Sequence, residues 1–250
     1  MNANQRLQAS RRRFLQAVGT AAAGLALGAL PFAPRVALAA EAGLKIGIVG
    51  SGRLGGTSGG VWLKAGHEVM FSSLDIEQDK ALAARLGGKA RAGTTQQAAA
   101  FGEVVLIAVP YSAMPQVGRD LAALLKNKVV IDASNPIPTR DGEVATKARE
   151  KGAGLATAEL LPGARLVRAF NAIGYTRQGE AAQRPGERIG MPMAGDDASA
   201  IAVASRLVRD VGYEPVVVGG LAMGRYLMPG TPLAGELSAD KLRQIAATLN

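Results

Sequence analysis

From Lys45 onward, short apolar runs alternate with longer amphipathic stretches, a rhythm of strand and helix that predicts βαβ units around a parallel sheet. Lys45 to Val49 (KIGIV) is the first expected strand, Leu54 to Lys64 its helix, and Glu68 to Phe71 the second strand. Ile76 to Leu86 is expected as helix, Lys89 to Ala92 as a short strand and Thr94 to Phe101 as a short helix. Glu103 to Val109 (EVVLIAV) is apolar almost throughout and stops at Pro110, the pattern of a strand covered on both faces. Met114 to Leu125 reads as the next helix and Lys128 to Asp132 as the fifth strand. Arg165 to Ala169, Arg188 to Ala194 and Glu214 to Val218 read as further strands, with helices at Ser199 to Val211 and Ser238 to Leu249. The expected fold is α/β: a Rossmann-type doubly wound, mostly parallel sheet with helices on both faces and a short C-terminal extension.

The rhythm is absent before residue 40. Ser10-Arg11-Arg12-Arg13-Phe14-Leu15-Gln16 precedes an Ala- and Gly-rich apolar stretch from Ala17 to Leu30, then Pro31, Pro34 and Ala37-Leu38-Ala39. That order of basic, apolar and small-residue segments is the pattern of a cleaved export signal. The apolar run is shorter than the ~20 residues a membrane span needs. The paired arginines resemble the twin-arginine signal, with Gln16 where the last lysine usually stands. Residues 1–39 are therefore expected to be a signal read by the twin-arginine export machinery, and residues 40–250 one nucleotide-binding domain, exported or periplasmic. A folded protein carried by that route is one that can load a cofactor before leaving the cytoplasm.

Composition narrows the chemistry. Of 250 residues, 48% are hydrophobic, which is enough for a sizeable core. The net charge of +9 is concentrated at the start: five arginines and no acid fall in residues 1–39, leaving 24 basic against 20 acidic residues afterwards, a net +4. With that modest surplus and only 4% aromatics, nucleic acid is not expected as a partner. Cysteine is absent and His67 is the sole histidine, which excludes disulfides, thiolate nucleophiles, a Ser-His-Asp triad and a conventional His or Cys metal site. His67 opens the second strand, at the wrong end of the sheet for catalysis. No side chain is singled out as a catalytic group and no metal is expected, so a bound cofactor must supply most of the chemistry.

The first strand runs into Gly50-Ser51-Gly52-Arg53-Leu54-Gly55, a G-x-G-x-x-G turn at the junction of strand and helix. Gly50 allows the tight turn, Gly52 lets the backbone approach a pyrophosphate and Gly55 lets helix and strand pack closely. The tip of the second strand usually carries an acid that grips the ribose 2′-hydroxyl of NAD; Ser72 and Ser73 stand there instead and predict NADP. Asp75 is expected to cap the following helix. After the fifth strand, Asn135 before Pro136 is open to two readings, a group that orients the nicotinamide ribose or carboxamide and a turn residue preceding proline.

Taken together, KIGIVGSGRLGG, KAGHEV, VVLIAVPYSAMPQV, KVVIDASNP, RAFNAIG, MPMAGDD and GGLAMGRYL, in that order, resemble the NADP-dependent oxidoreductases typified by NADPH:coenzyme F420 oxidoreductase, related to STEAP-type metalloreductase domains. The resemblance implies a homodimer and a nicotinamide lying beside Val109, Pro110 and Tyr111. It implies direct hydride transfer between NADPH and a small-molecule electron acceptor, a deazaflavin (F420) or a flavin, without a covalent intermediate. A metalloreductase-like or general flavin reductase and a noncatalytic exported NADP-binding protein are the alternatives. One departure stands out: the resemblance implies arginine where Leu74 lies, to clamp the 2′-phosphate. Arg53 is the expected substitute, in which case Arg53→Ala weakens NADPH binding much more than NADH binding, and equal losses remove that role.

Overall fold

A computed structural model describes residues 42–181 and 184–249. The expected export signal lies outside the described residues. Eight strands form one sheet: β1 (Lys45–Val49), β2 (Glu68–Ser72), β3 (Ala90–Ala92), β4 (Val104–Ile107), β5 (Val129–Asp132), β6 (Arg165–Arg168), β7 (Gly190–Gly195) and β8 (Glu214–Gly219). Their spatial order is β3-β2-β1-β4-β5-β6-β7-β8. All neighbours pair in parallel except β6 and β7. The winding reverses between β1 and β4, and this reversal opens the crevice in which doubly wound folds bind nucleotides. The α/β doubly wound expectation holds.

The helices alternate with the strands for a physical reason: a parallel partner requires the chain to cross back to the sheet's starting edge. Those crossings are α1 (Arg53–Lys64), α2 (Ile76–Leu86), α3 (Thr95–Phe101) and α4 (Met114–Leu125), followed after β5 by α5 (Pro138–Asp141), α6 (Glu143–Lys151) and α7 (Ala153–Leu160). After β6, the short helix α8 (Tyr175–Ala181) does not cross back, so β7 enters from the same edge and runs antiparallel to β6. The last helices are α9 (Ala198–Asp210) and α10 (Ala239–Ala246).

Helices cover both faces. On one side Ile46, Ile48 and Phe71 pack with Trp62 of α1 and Leu207 of α9; on the other Val105, Ile107 and Val130 pack with Met114 and Leu121 of α4. Trp62 is fully buried, donates from Nε1 to the Leu207 carbonyl at 2.9 Å and meets Phe170 edge-on at 6.0 Å. Asp75 caps α2 by accepting from the amides of Glu77 and Gln78, as expected. Thr94 and Gln97 form a reciprocal capping box on α3, and Lys128 Nζ closes the other end on the carbonyls of Ala99, Ala100 and Gly102. That burial pushes the Lys128 pKa down.

Two sequence expectations change. β2 continues to Ser72, one residue beyond the expected end, which turns that side chain inward. The connection from β5 to β6 holds three helices that the sequence reading left unassigned. Gly142 (φ +66°) and Gly152 (φ +98°) sit at their junctions and divide the run into pieces too short to show a helical period.

Candidate functional site

The glycine turn has the geometry its spacing predicts. Gly50 has φ +101°, and a side-chain carbon there would strike the Ala108 carbonyl. A carbon on Gly55 would strike the Gly50 carbonyl and Ile48 Cγ2. Gly52 is different, because among the described residues nothing lies within 4 Å of the point its Cβ would occupy. That open notch faces the start of α1, where Gly52 is the N-cap and offers no side-chain oxygen to the first-turn amides, including those of Arg53 and Leu54. Uncapped amides at a positive dipole end beside an open notch fit a pyrophosphate. The amides of Gly50 and Ser51 both donate to the Ser72 carbonyl, at 2.9 and 3.0 Å, and bind the turn to the tip of β2.

At that tip the structure revises the roles read from sequence. Ser72 is fully buried and its hydroxyl donates to the Ile48 carbonyl at 2.6 Å, so it stabilises the β1–β2 pair and does not face a ligand. Ser73 remains half-exposed, and its hydroxyl donates to Asp79 Oδ2 at 2.9 Å. Ser51 donates to the other oxygen of the same carboxylate. Leu74 is fully exposed. Arg53 Nη1 donates to the Tyr175 hydroxyl at 2.6 Å, and the guanidinium lies 5.5 Å from the centre of that ring. Arg53 is therefore tied to α8, and its contacts do not reach the serines of β2.

The opposite end of the crevice is built from the exits of β4, β5 and β6. Val109 is half-buried and Pro110 exposed, an apolar wall beside the turn. Tyr111 is fully buried, with its hydroxyl 3.2 Å from Thr157 Oγ1, and burial, the largest effect, raises its pKa despite that hydrogen bond. The structure places Tyr111 in the core behind that wall and not on the crevice surface, which corrects the expectation that it lies beside the nicotinamide. Asn135 donates from Nδ2 to the Asn171 carbonyl at 2.8 Å, and its own carbonyl accepts from Arg140 at 2.9 Å. It thus clasps the exits of β5 and β6 together.

Several residues that the sequence reading did not single out complete this end. Arg168 and Asp132, both 0% exposed, form an ion pair at 2.5 Å, and Arg168 also donates to the Ser134 carbonyl at 3.1 Å. Phe170 adopts φ +66°, a conformation that costs a bulky residue on the order of 1–3 kcal/mol and clusters at ligand sites. Asn171 is buried and its Oδ1 has no hydrogen-bond partner among the described residues. Phe170 and Asn171 lie within RAFNAIG, where a polar residue directly after a buried strand was the available signal. Asp79 falls on the inward stripe Ile76, Asp79, Ala83 of α2, so an acid at a core position was its signal. His67 is structural as expected: Nδ1 accepts from the Leu44 amide at 2.9 Å and Nε2 meets Asp210 at 2.9 Å.

Residues 45–136, from β1 to the Asn135-Pro136 turn, match the family described as NADP oxidoreductase, coenzyme F420-dependent. Among solved structures, a hypothetical protein of Sinorhizobium meliloti is similar at a TM-score of 0.66 and 22% identity, over 77% of this chain and 93% of its own. A candidate F420-dependent NADP-reductase from Arthrobacter sp. FB24 is similar at 0.60 and 21%, over 73% of this chain and 88% of its own. An imine reductase from Streptomyces aurantiacus follows at 0.54 and 21%, over 71% of this chain and 57% of its own. At these identities the structures establish the shared fold, and the matched segment contains the glycine turn and the exits of β4 and β5.

Proposed function

We propose that this chain is an NADP(H)-dependent oxidoreductase that passes hydride directly to a flat-ring acceptor of the deazaflavin or flavin type. The observation that carries the reading is the open notch at Gly52 against the uncapped start of α1, within the segment matched by the NADP-oxidoreductase family. The unpartnered Asn171 Oδ1 supports it from the other end, as an acceptor suited to a carboxamide N–H.

Held here, a dihydronicotinamide would supply a hydride from C4 to the acceptor ring, with the balancing proton drawn from solvent. The chain's own work is positional. The α1 amides hold the pyrophosphate, Asn135 and Asn171 fix the exits of β5 and β6, and Val109 with Pro110 walls one side against water. Orientation of this kind contributes several kcal/mol without a general acid or base, in keeping with a chain that has no cysteine and one buried, structural histidine.

Export is part of the proposal: residues 1–39 carry the chain out already folded, with its dinucleotide loaded. The test is anaerobic NADPH oxidation by purified protein with coenzyme F420, FMN and a ferric chelate in separate assays. Turnover with F420 or FMN is the expected result. Turnover with the ferric chelate alone identifies a metalloreductase, and tight NADPH binding with no turnover identifies a carrier. Mass spectrometry of undenatured exported protein shows whether the nucleotide travels with it.

A further inference from the structure

Ser51 and Ser73 belong to different loops, the glycine turn and the exit of β2, yet both hydroxyls end on the buried carboxylate of Asp79. A carboxylate only accepts, and a serine hydroxyl has one proton to give. With that proton committed to Asp79, which on Ser73 lies closer, at 2.9 Å, than the other acceptor, the Asp75 carbonyl at 3.2 Å, each serine oxygen offers only lone pairs to a ligand. On Ser73 one of those already accepts from the Asp75 amide at 3.2 Å. The third hydroxyl of the cluster, on Ser72, is spent on the Ile48 carbonyl. None of the three hydroxyl protons is left for a ligand at the tip of β2.

The two nicotinamide dinucleotides differ at this point of the site. A ribose 2′-hydroxyl is a donor and is met by an acceptor oxygen. A 2′-phosphate is an anion and is met by donors or cations. Leu74 adds no cation, and the Arg53 guanidinium is held on Tyr175. We propose that Asp79 is the specificity-determining residue of the adenosine half-site. By drawing the Ser51 and Ser73 protons inward, it turns their oxygens into acceptors for a 2′-hydroxyl and curbs the advantage of a 2′-phosphate, so the protein uses NADH as well as NADPH. This rests on the nicotinamide-dinucleotide reading above.

The test measures dissociation constants for NADPH and NADH on the full chain. The wild type is expected to bind the two within roughly tenfold of each other, the value of about one hydrogen bond. Asp79→Asn keeps the shape but replaces one of the two acceptor oxygens with an amide nitrogen, which donates to one serine oxygen and frees that hydroxyl's proton. It is expected to shift the ratio toward NADPH by roughly tenfold or more, since a negative charge is removed as well. Ser73→Ala leaves Asp79 in place and tests the same logic should Asp79→Asn fail to fold: NADH binding weakens while NADPH binding holds. A purely structural role for the cluster would weaken both dinucleotides together. An unmoved ratio in Asp79→Asn, parallel losses in Ser73→Ala, or a wild type that favours NADPH more than a hundredfold overturns the assignment. Failure of the wild type to bind either dinucleotide overturns the functional reading and this one with it.

Discussion

The two ends of the crevice spend their polar groups differently. At the end proposed for adenosine the hydroxyls close on Asp79 and on the Ile48 carbonyl, while the Gly52 notch with its uncapped amides stays open among the described residues. At the end proposed for the nicotinamide a buried ion pair and two asparagines lock strand exits together, yet leave Asn171 Oδ1 unpartnered among the described residues, beside the strained Phe170. The first end offers backbone amides placed by the glycine spacing. The second offers side chains held by residues some 35 positions apart, so its polar groups come into place only when β6 docks beside β5. One consequence is that the two ends should fail differently when damaged.

The largest expected effect is Arg168→Met, which leaves Asp132 as an uncompensated buried charge. Breaking such a pair costs about 3–5 kcal/mol, so unfolding in urea should shift by that amount, and nicotinamide-end function should go with it. A double change, Arg168→Met with Asp132→Leu, should recover much of the stability, because apolar replacements of both partners avoid the stranded charge. If the single change costs less than 1 kcal/mol, the strand exits are not held by this pair.

Gly52→Ala probes the other end and should separate binding from folding. Its Cβ meets no protein atom, so the midpoint of thermal unfolding should stay within a few degrees. Dinucleotide binding should weaken by roughly a hundredfold, because the methyl group fills the notch the pyrophosphate requires. Equal affinity in the variant would move the pyrophosphate away from this turn.

Legibility followed the same division. β1, α1, β2 and the shape of the glycine turn could be read from sequence because their apolar runs and glycine spacing are local patterns, and the strand ends agreed to within a residue or two. Ser72 differs from its expected role by a single position: β2 runs one residue further, and in a sheet covered on both faces Ser72 is buried there just as Phe71 is. Tyr111 was misread because an aromatic after a strand exit faces either the crevice or the core, and its hydroxyl partner Thr157 lies 46 residues away. Asp132 with Arg168, and Ser51 with Asp79, are contacts between distant residues that no local window contains.

Asn171→Leu should have a smaller effect than either change above. It removes the orphaned acceptor together with the Nδ2 donation to the Ser134 carbonyl at 3.2 Å, so stability should fall by about 1 kcal/mol, while kcat/KM should fall by roughly tenfold, the worth of one ligand hydrogen bond. A fall confined to KM would make Asn171 a uniform binder, and a fall in kcat would tie it to orientation of the reacting ring. No change in either would leave the unpartnered oxygen without a role in the site.

The smallest effect links the nicotinamide end to pH. Burial alone would raise the Asp141 pKa, but hydrogen bonds from Arg140 and from the amides of Ile137 and Ser112 outweigh it and hold the carboxyl at about 2, below its ordinary 3.8. A carboxyl depressed in the folded state stabilises the protein above the unfolded-state pKa, and that contribution disappears as pH falls through the folded value. Arg140, which Asp141 grips through two hydrogen bonds, also donates to the Asn135 carbonyl, so this carboxylate steadies the β5 exit at one remove. Thermal midpoints of wild type and Asp141→Asn, compared from pH 7 to pH 2, should therefore differ most above pH 4 and converge toward pH 2. If the gap keeps the same size throughout that range, the Asp141 charge contributes nothing that its shape does not. In that case Arg140 holds Asn135 without help, and the nicotinamide end is less dependent on buried ionic contacts than Arg168 and Asp132 suggest.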